Sequence, residues 1–373
     1  MFKHSISLGR IFGIEVDLDS SWFLVFGLLT WILAVSYYPG EFRNWSHGQY
    51  WLMGAITSIL LFGSVLVHEL GHSVVAMHYG IPVPRITLFI FGGVAQIAQE
   101  PESALSEFWI AIAGPVVSLV LAVFFGELAT VFAGVPMLLA LAKYLALLNL
   151  VLAIFNLVPG FPLDGGRIFR AILWGITHSF QRATTIAAVV GQGFGYFFIF
   201  GGVWMVLSGN IFNGIWIAFI GWFLESAAKS QIQMQIVRNM LAGHKVSEIM
   251  RRDFAGVSAA TTLQELEDQH VLESGRRSFV VDNNGHGHVG LVTLSAITAV
   301  PRSAWRSTTV DQVMIPPNKL VSVQPNTEAW EALEKMGRDG VNQLPVVLNG
   351  SIVGMVSRDD LLHYLSLHPV FSK

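Results

Sequence analysis

The 373-residue chain is 53% hydrophobic and only 13% charged, with a mean hydropathy of +0.56. These values exclude an ordinary soluble globular protein and indicate several membrane spans. The net charge of −3, without a basic run, argues against a nucleic-acid partner, and the lack of cysteine removes disulfides, thiolate ligands and a thiol nucleophile.

Residues 1–228 are poor in Lys, Arg, Asp and Glu, whereas residues 229–373 have the composition of a soluble module. A membrane half therefore precedes an aqueous half. The stretch up to Asp19 alternates apolar and polar residues and lacks the compact core of a cleaved signal peptide, so it reads as a strand or hairpin. Residues 20–38 form the first predicted span, ending at Pro39-Gly40, and residues 50–78 the second. Residues 85–97 are β-rich and interrupted at Gly92-Gly93, which suits a re-entrant or interfacial strand pair packed on protein or lining a wet cavity. Residues 100–107 read as a polar connection. The third span is predicted over 108–131. A fourth begins at Met137, breaks at Pro159-Gly160-Phe161-Pro162 and resumes at Leu163, because proline removes a backbone donor and clashes with the preceding turn. Spans over 183–207 and 211–228 complete six, and residues 229–243 read as a helical linker.

Within the second span lies His68-Glu69-Leu70-Gly71-His72. The i, i+4 spacing sets both imidazoles on one helix face, where they can bind one Zn²⁺ ion, with Glu69 beside the metal's water as general base. No charged residue occurs from Trp51 to Val67, so His68 and Glu69 lie at membrane depth, where ionisable groups are kept for a use. The pair needs a third ligand. Asp164, a lone carboxylate after the helix break, is the candidate, with an N-cap of the restarting helix as the alternative. The other acids within the predicted spans, Glu127 and Glu225, sit near span ends.

Beyond Gly243 the chain repeats itself. Val246-Ser-Glu-Ile-Met250 aligns with Val310-Asp-Gln-Val-Met314, and Gly290-Leu-Val-Thr293 with Gly354-Met-Val-Ser357, both offset by 64 residues. Strand, helix and strand inside each copy indicate a duplicated α/β unit rather than a solenoid.

HELGH, Asn156-Leu-Val-Pro159 and Leu163-Asp164-Gly165, with Gly92-Gly93-Val94 and Ala113-Gly114-Pro115, resemble the site-2 protease family of intramembrane zinc metalloproteases over residues 1–228. The repeat resembles a tandem pair of cystathionine-β-synthase-type (CBS) domains, through Gly340-Val-Asn-Gln-Leu-Pro-Val and Gly354-Met-Val-Ser-Arg-Asp-Asp. The implied fold is a polytopic α-helical membrane protein of six spans with a short membrane-associated β segment, followed by a cytoplasmic α/β tandem CBS pair. The implied divisions are a protease domain over 1–228, a linker over 229–243, and CBS domains over 244–306 and 307–373. The loop after the third span, about Gly126 to Pro136, has no room for the PDZ domain of some relatives, and Ser118 stands where many relatives carry Asn in a GPxxN pattern, a departure that bears on a secondary polar contact and not on the chemistry.

The resemblance makes His68, His72 and Asp164 the zinc ligands, Glu69 the base and Asn156 a polar contact to the substrate backbone or oxyanion. The substrate is a transmembrane protein segment that unwinds locally and adds to the 86–97 strand, where Gly92 and Gly93 allow close backbone approach. The CBS resemblance implies one adenine-nucleotide site, its ribose held by Ser357 and Asp360, since Thr293 and Ala296 occupy the equivalent positions in the first copy and Ala cannot accept a hydrogen bond. It also admits a homodimer through these domains. Lys3, Arg10, Arg85, Arg182, Lys229 and Arg238 at one set of span ends, against Arg43 in the opposite loops, place both termini and the CBS pair in the cytoplasm of a multi-pass cell-membrane protein. The competing readings are a CBS-regulated transporter using the broken helix, and a membrane scaffold with a structural metal site. No inverted repeat supports the first, and no fourth protein ligand supports the second.

Overall fold

A computed structural model describes residues 5–90, 92–97, 99–271, 278–282 and 288–367, divided into two compact units, 1–235 and 236–373. The first four residues of the expected N-terminal strand and the end of the second CBS domain, 368–373, lie outside the described residues.

The first unit opens with the expected hairpin, strands β1 (Ser5–Ile11) and β2 (Ile14–Asp19). Alternation turns Ile14, Val16 and Leu18 inward. β2 pairs in parallel with β3 (Arg85–Phe89), which pairs antiparallel with β4 (Gly92–Gln96), giving the sheet order β1-β2-β3-β4. The 85–97 segment is thus a strand pair, but half of a four-stranded sheet built with the N-terminal hairpin. Arg85 ties the two halves, bridging Glu15 at 3.0 Å and Asp17 at 3.2 Å.

Six helices among the described residues are long and apolar enough to cross a membrane. The first spans Ser20–Glu41, as α1 (Ser20–Ile32), a wider turn at Leu33–Tyr37 and α2 (Tyr38–Glu41); Pro39 falls in the first turn of α2, where its missing N–H costs nothing. The others are α3 (His47–His78), α4 (Ala104–Val131), α5 (Pro136–Asn156), α7 (Phe180–Leu207) and α8 (Ile211–Leu241). The shorter α6 (Asp164–Thr177) follows the expected break after α5. α4 packs against α3, α5 and α6, so it is the post against which the segments carrying His68, His72 and Asp164 are set. α8 runs through the expected linker without interruption to Leu241.

In the second unit β5 (Gly256–Ser258), β6 (Ser278–Asp282) and β7 (His288–Thr293) form one sheet, and β8 (Gln343–Leu348) pairs with β9 (Ser351–Ser357) in another. The two copies exchange their opening segments. Val246 and Ile249 are buried with Val346, Val356 and Leu361 of the second copy, whereas Val310 is buried with Val257, Phe279 and Val292 of the first. Backbone bridges repeat the exchange: Arg251 pairs with Met355 and Leu291 with Ile315, each residue of one bridge displaced by the repeat length from its counterpart.

Candidate metal centre

His68 and His72 lie one turn apart on α3 and both are almost fully buried. Each ring is fixed through Nδ1 by α4. His68 Nδ1 is 2.8 Å from Ser118 Oγ, and His72 Nδ1 is 2.7 Å from the Ile110 carbonyl oxygen. A carbonyl only accepts, so His72 carries its proton on Nδ1 and keeps the Nε2 lone pair free; the Ser118 hydroxyl can hold His68 the same way. Ser118, the residue at the departing position, thus makes a polar contact of its own to His68.

Asp164 completes the group. Its Oδ2 is 3.1 Å from His68 Nε2 and 3.2 Å from His72 Nε2, and the two Nε2 atoms are 3.3 Å apart. With both imidazoles protonated on Nδ1, the three facing atoms are all acceptors and repel one another unless a cation sits among them. One ion with bonds of ~2.0–2.2 Å would span such separations, and two imidazoles with a carboxylate make a catalytic-zinc donor set. Among the described residues no fourth ligand atom joins the group, which leaves a position for water or substrate. Asp164 is the first helical residue of α6; the N-cap is Leu163, which makes no side-chain cap. The carboxylate is turned to the histidines instead of to the helix terminus.

Two glycines make room for this arrangement. A Cβ on Gly114 of α4 would lie 2.1 Å from His72 Nε2 and 2.7 Å from His68 Nε2. A Cβ on Gly93 of β4 would lie 2.5 Å from Glu69 Cγ and 3.1 Å from its Oε1. β4 is thus laid directly over the Glu69 side chain, whose carboxylate also faces the Ala95 backbone amide. Gly92, with a φ of +126°, turns the chain into this strand.

The Peptidase family M50 model matches residues 56–143 and 132–202, and the CBS domain model matches 246–302 and 310–367. The Synechocystis protein sll0528 is 35% identical over 368 residues, covering 97% of this chain and 96% of its own. Zinc metalloprotease MJ0392 of Methanocaldococcus jannaschii is 31% identical over 369 residues, covering 98% and 97%. The chain belongs to peptidase family M50, the site-2 protease family. The solved site-2 protease of M. jannaschii aligns with a TM-score of 0.44 at 33% identity, over 61% of this chain and 95% of that one.

One feature of this M50 peptidase is not legible in its sequence. Glu107, in the stretch expected to be a polar connection, is in the first turn of α4 and wholly buried, and so is a further acid within the spans. Its Oε1 accepts hydrogen bonds from Arg170 Nε, at 2.7 Å, and from Arg170 Nη2. The Arg170 guanidinium is sandwiched 5.0 Å from the Phe161 ring centroid and 4.6 Å from that of Phe180. This clamp fixes α6, and hence Asp164, against α4. A Glu at a helix start and an Arg six residues past Asp164 carry no sequence signal that they meet. Asn156, the last residue of α5, is half-buried and makes no side-chain hydrogen bond among the described residues.

In the CBS pair of this peptidase, Ser357 and Asp360 already satisfy one another. Asp360 Oδ2 accepts from the Ser357 N–H at 2.9 Å and the Ser357 hydroxyl at 2.6 Å, while Ser357 Oγ accepts from the Asp360 N–H at 3.1 Å. This is a capping box at the start of the helix Arg358–Leu367. The other carboxylate oxygen, Oδ1, is bound by Arg251. Thr293 caps its helix by accepting from the Ala296 N–H at 3.3 Å, without the reciprocal carboxylate.

Proposed function

We propose that this M50 zinc metalloprotease cleaves a locally unwound transmembrane segment of a membrane-bound protein, with His68, His72 and Asp164 as zinc ligands and Glu69 as general base. The observation that carries this reading is the convergence of His68 Nε2, His72 Nε2 and Asp164 Oδ2 beside Glu69 inside a membrane-spanning helix. When bound, the ion supplies a water acidified toward a pKa of ~7 and a Lewis acid for the scissile carbonyl. Glu69 takes the water's proton and delivers it to the leaving amine as the C–N bond breaks, leaving a carboxylate on one product. Ser118 and the Ile110 carbonyl hold the imidazoles in the tautomer this requires.

A transmembrane helix shields its own carbonyls, so the substrate must open and find new backbone partners. β4 ends the sheet order and pairs only with β3 among the described strands. An extended substrate adding to that edge would pass Gly93 and come onto Glu69. Asn156 would then meet a substrate polar group. The positive-inside bias puts the termini and CBS pair in the cytoplasm.

An adenine nucleotide at Ser357 and Asp360 would need Arg251 to release the carboxylate, and a homodimer through the CBS pair is compatible with this regulation. Calorimetric titration of ATP, ADP and AMP into the full-length protein tests the site: binding near one per chain that disappears in Asp360→Ala supports it, and no heat with any of the three removes it. The chemistry is tested by Glu69→Gln, which keeps the metal but loses cleavage of a membrane substrate by at least ~10²-fold. Undiminished cleavage would remove Glu69 from its role.

A further inference from the structure

A metal ligand must be held to within about half an ångström, and α6 carries Asp164 with no local device for doing so. Its N-cap residue, Leu163, makes no side-chain cap, and Gly165 and Gly166 follow with no side chains to interlock with a neighbour. The helix start folds back on the break before it instead: a Cβ on Gly166 would lie 2.4 Å from the Phe161 backbone nitrogen. What reaches out from α6 is Arg170. Its guanidinium donates through Nε and Nη2 to Glu107 of α4, and it lies between the rings of Phe161, ahead of Asp164, and Phe180, at the start of α7. Glu107, Arg170 and Phe161 are all buried. One side chain thus ties together the segment before the ligand, the helix after it and α4.

Glu107 also opens a stripe on α4. Ile110, Gly114 and Ser118 follow at steps of three and four residues, which keeps them on one helix face. Ser118 holds His68, the Ile110 carbonyl holds His72, and Gly114 leaves room for both Nε2 atoms. We propose that Glu107 and Arg170 are positioning residues for Asp164, so that a single face of α4 sets all three metal ligands. The proposal rests on the metal-ligand reading above. A buried ion pair often stabilises a fold no better than apolar side chains of the same volume, because both charges lose their water. Its planar fork does what an apolar contact cannot: it accepts one separation and one direction. Six residues at 3.6 per turn put Arg170 about 120° around α6 from Asp164. An anchor there stops α6 from rotating or sliding on α4, and either motion would carry the Asp164 carboxylate away from the two imidazoles.

The competing role is plain stabilisation of the contact between α4 and α6. Full-length wild type is compared with Arg170→Lys, which keeps the charge but not the fork, and with the double variant Glu107→Met/Arg170→Met, which removes both charges and keeps the volume. Zinc affinity is measured by competition with a chelator, melting temperature on the metal-free proteins, and ligand geometry from the visible absorption band of the cobalt-substituted proteins. E107M/R170M is expected to melt close to the wild type, to bind zinc about 10–100-fold more weakly and to show a weakened, shifted cobalt band. R170K should lose about tenfold in affinity with a smaller shift of the band. An unchanged band in E107M/R170M overturns the proposal, whatever the melting temperature does. If the double variant does not fold, R170K decides: a weaker site with an altered band supports positioning, and a wild-type band overturns it. Asp164→Ala in the same assays judges the ligand reading separately. Should that variant bind zinc and cobalt as the wild type does, Asp164 is no ligand, whereas clamp variants that fail beside a disabled D164A sink only the present proposal.

Discussion

Asp164 and Asp360 both sit in the first turn of a helix, where a carboxylate can either bind a ligand or cap the helix. The structure treats them oppositely. Asp164 makes no cap, and its Oδ2 is turned to two imidazoles. Asp360 is locked in a reciprocal box with Ser357, and its remaining oxygen holds Arg251. The difference lies in what surrounds each helix start. Around Asp164 the nearest groups are two imidazole nitrogens, and with each imidazole proton on Nδ1 the carboxylate is left to a cation. Around Asp360 the nearest groups are donors, so it is satisfied as it stands.

The largest expected effect of breaking this contrast is at the metal. Asp164→Ala should abolish stoichiometric metal retention after dialysis, measured by mass spectrometry. Gly114→Ala should do nearly the same without touching a ligand, because its Cβ would occupy the space in front of His72 Nε2. Gly126→Ala, where a Cβ would meet nothing within 4 Å, is the control and should be neutral. Replacing both Pro159 and Pro162 by Ala should let the chain after Asn156 regain helix, draw Asp164 away and weaken metal binding; unchanged occupancy would make the break incidental packing.

Ser118→Ala should lower metal affinity by about 10–100-fold, the scale of losing an outer hydrogen bond that orients a ligand. An unchanged affinity would show that His68 is oriented by packing alone. The smallest effect belongs to the second aspartate. Asp360→Ala should destabilise the CBS unit by about 1 kcal/mol, as for other lost helix caps, and leave metal content as in the wild type. The Arg251 side chain is 67% exposed, so its ion pair adds little of that. Loss of metal in this variant would dissolve the contrast between the two sites.

Local pattern determined much of the protein. Long apolar runs gave the spans, because in a bilayer only a helix satisfies every backbone group within one segment. The i, i+4 histidines, the prolines that end α5 and the 64-residue repeat were legible because each depends on spacing along one chain segment. Tertiary structure decided everything that depends on two distant segments meeting. It brought Asp164 to α3, set Ser118 and the Ile110 carbonyl behind the histidines, and laid Gly93 over Glu69. It also buried Glu107 against Arg170, where composition suggested a polar connection, and exchanged the opening segments of the two CBS copies. The physical reason is common to all of these. A polar side chain is indifferent to its own helix or strand, and its role is fixed by whichever donor, acceptor or ring the packing of apolar faces happens to deliver to it.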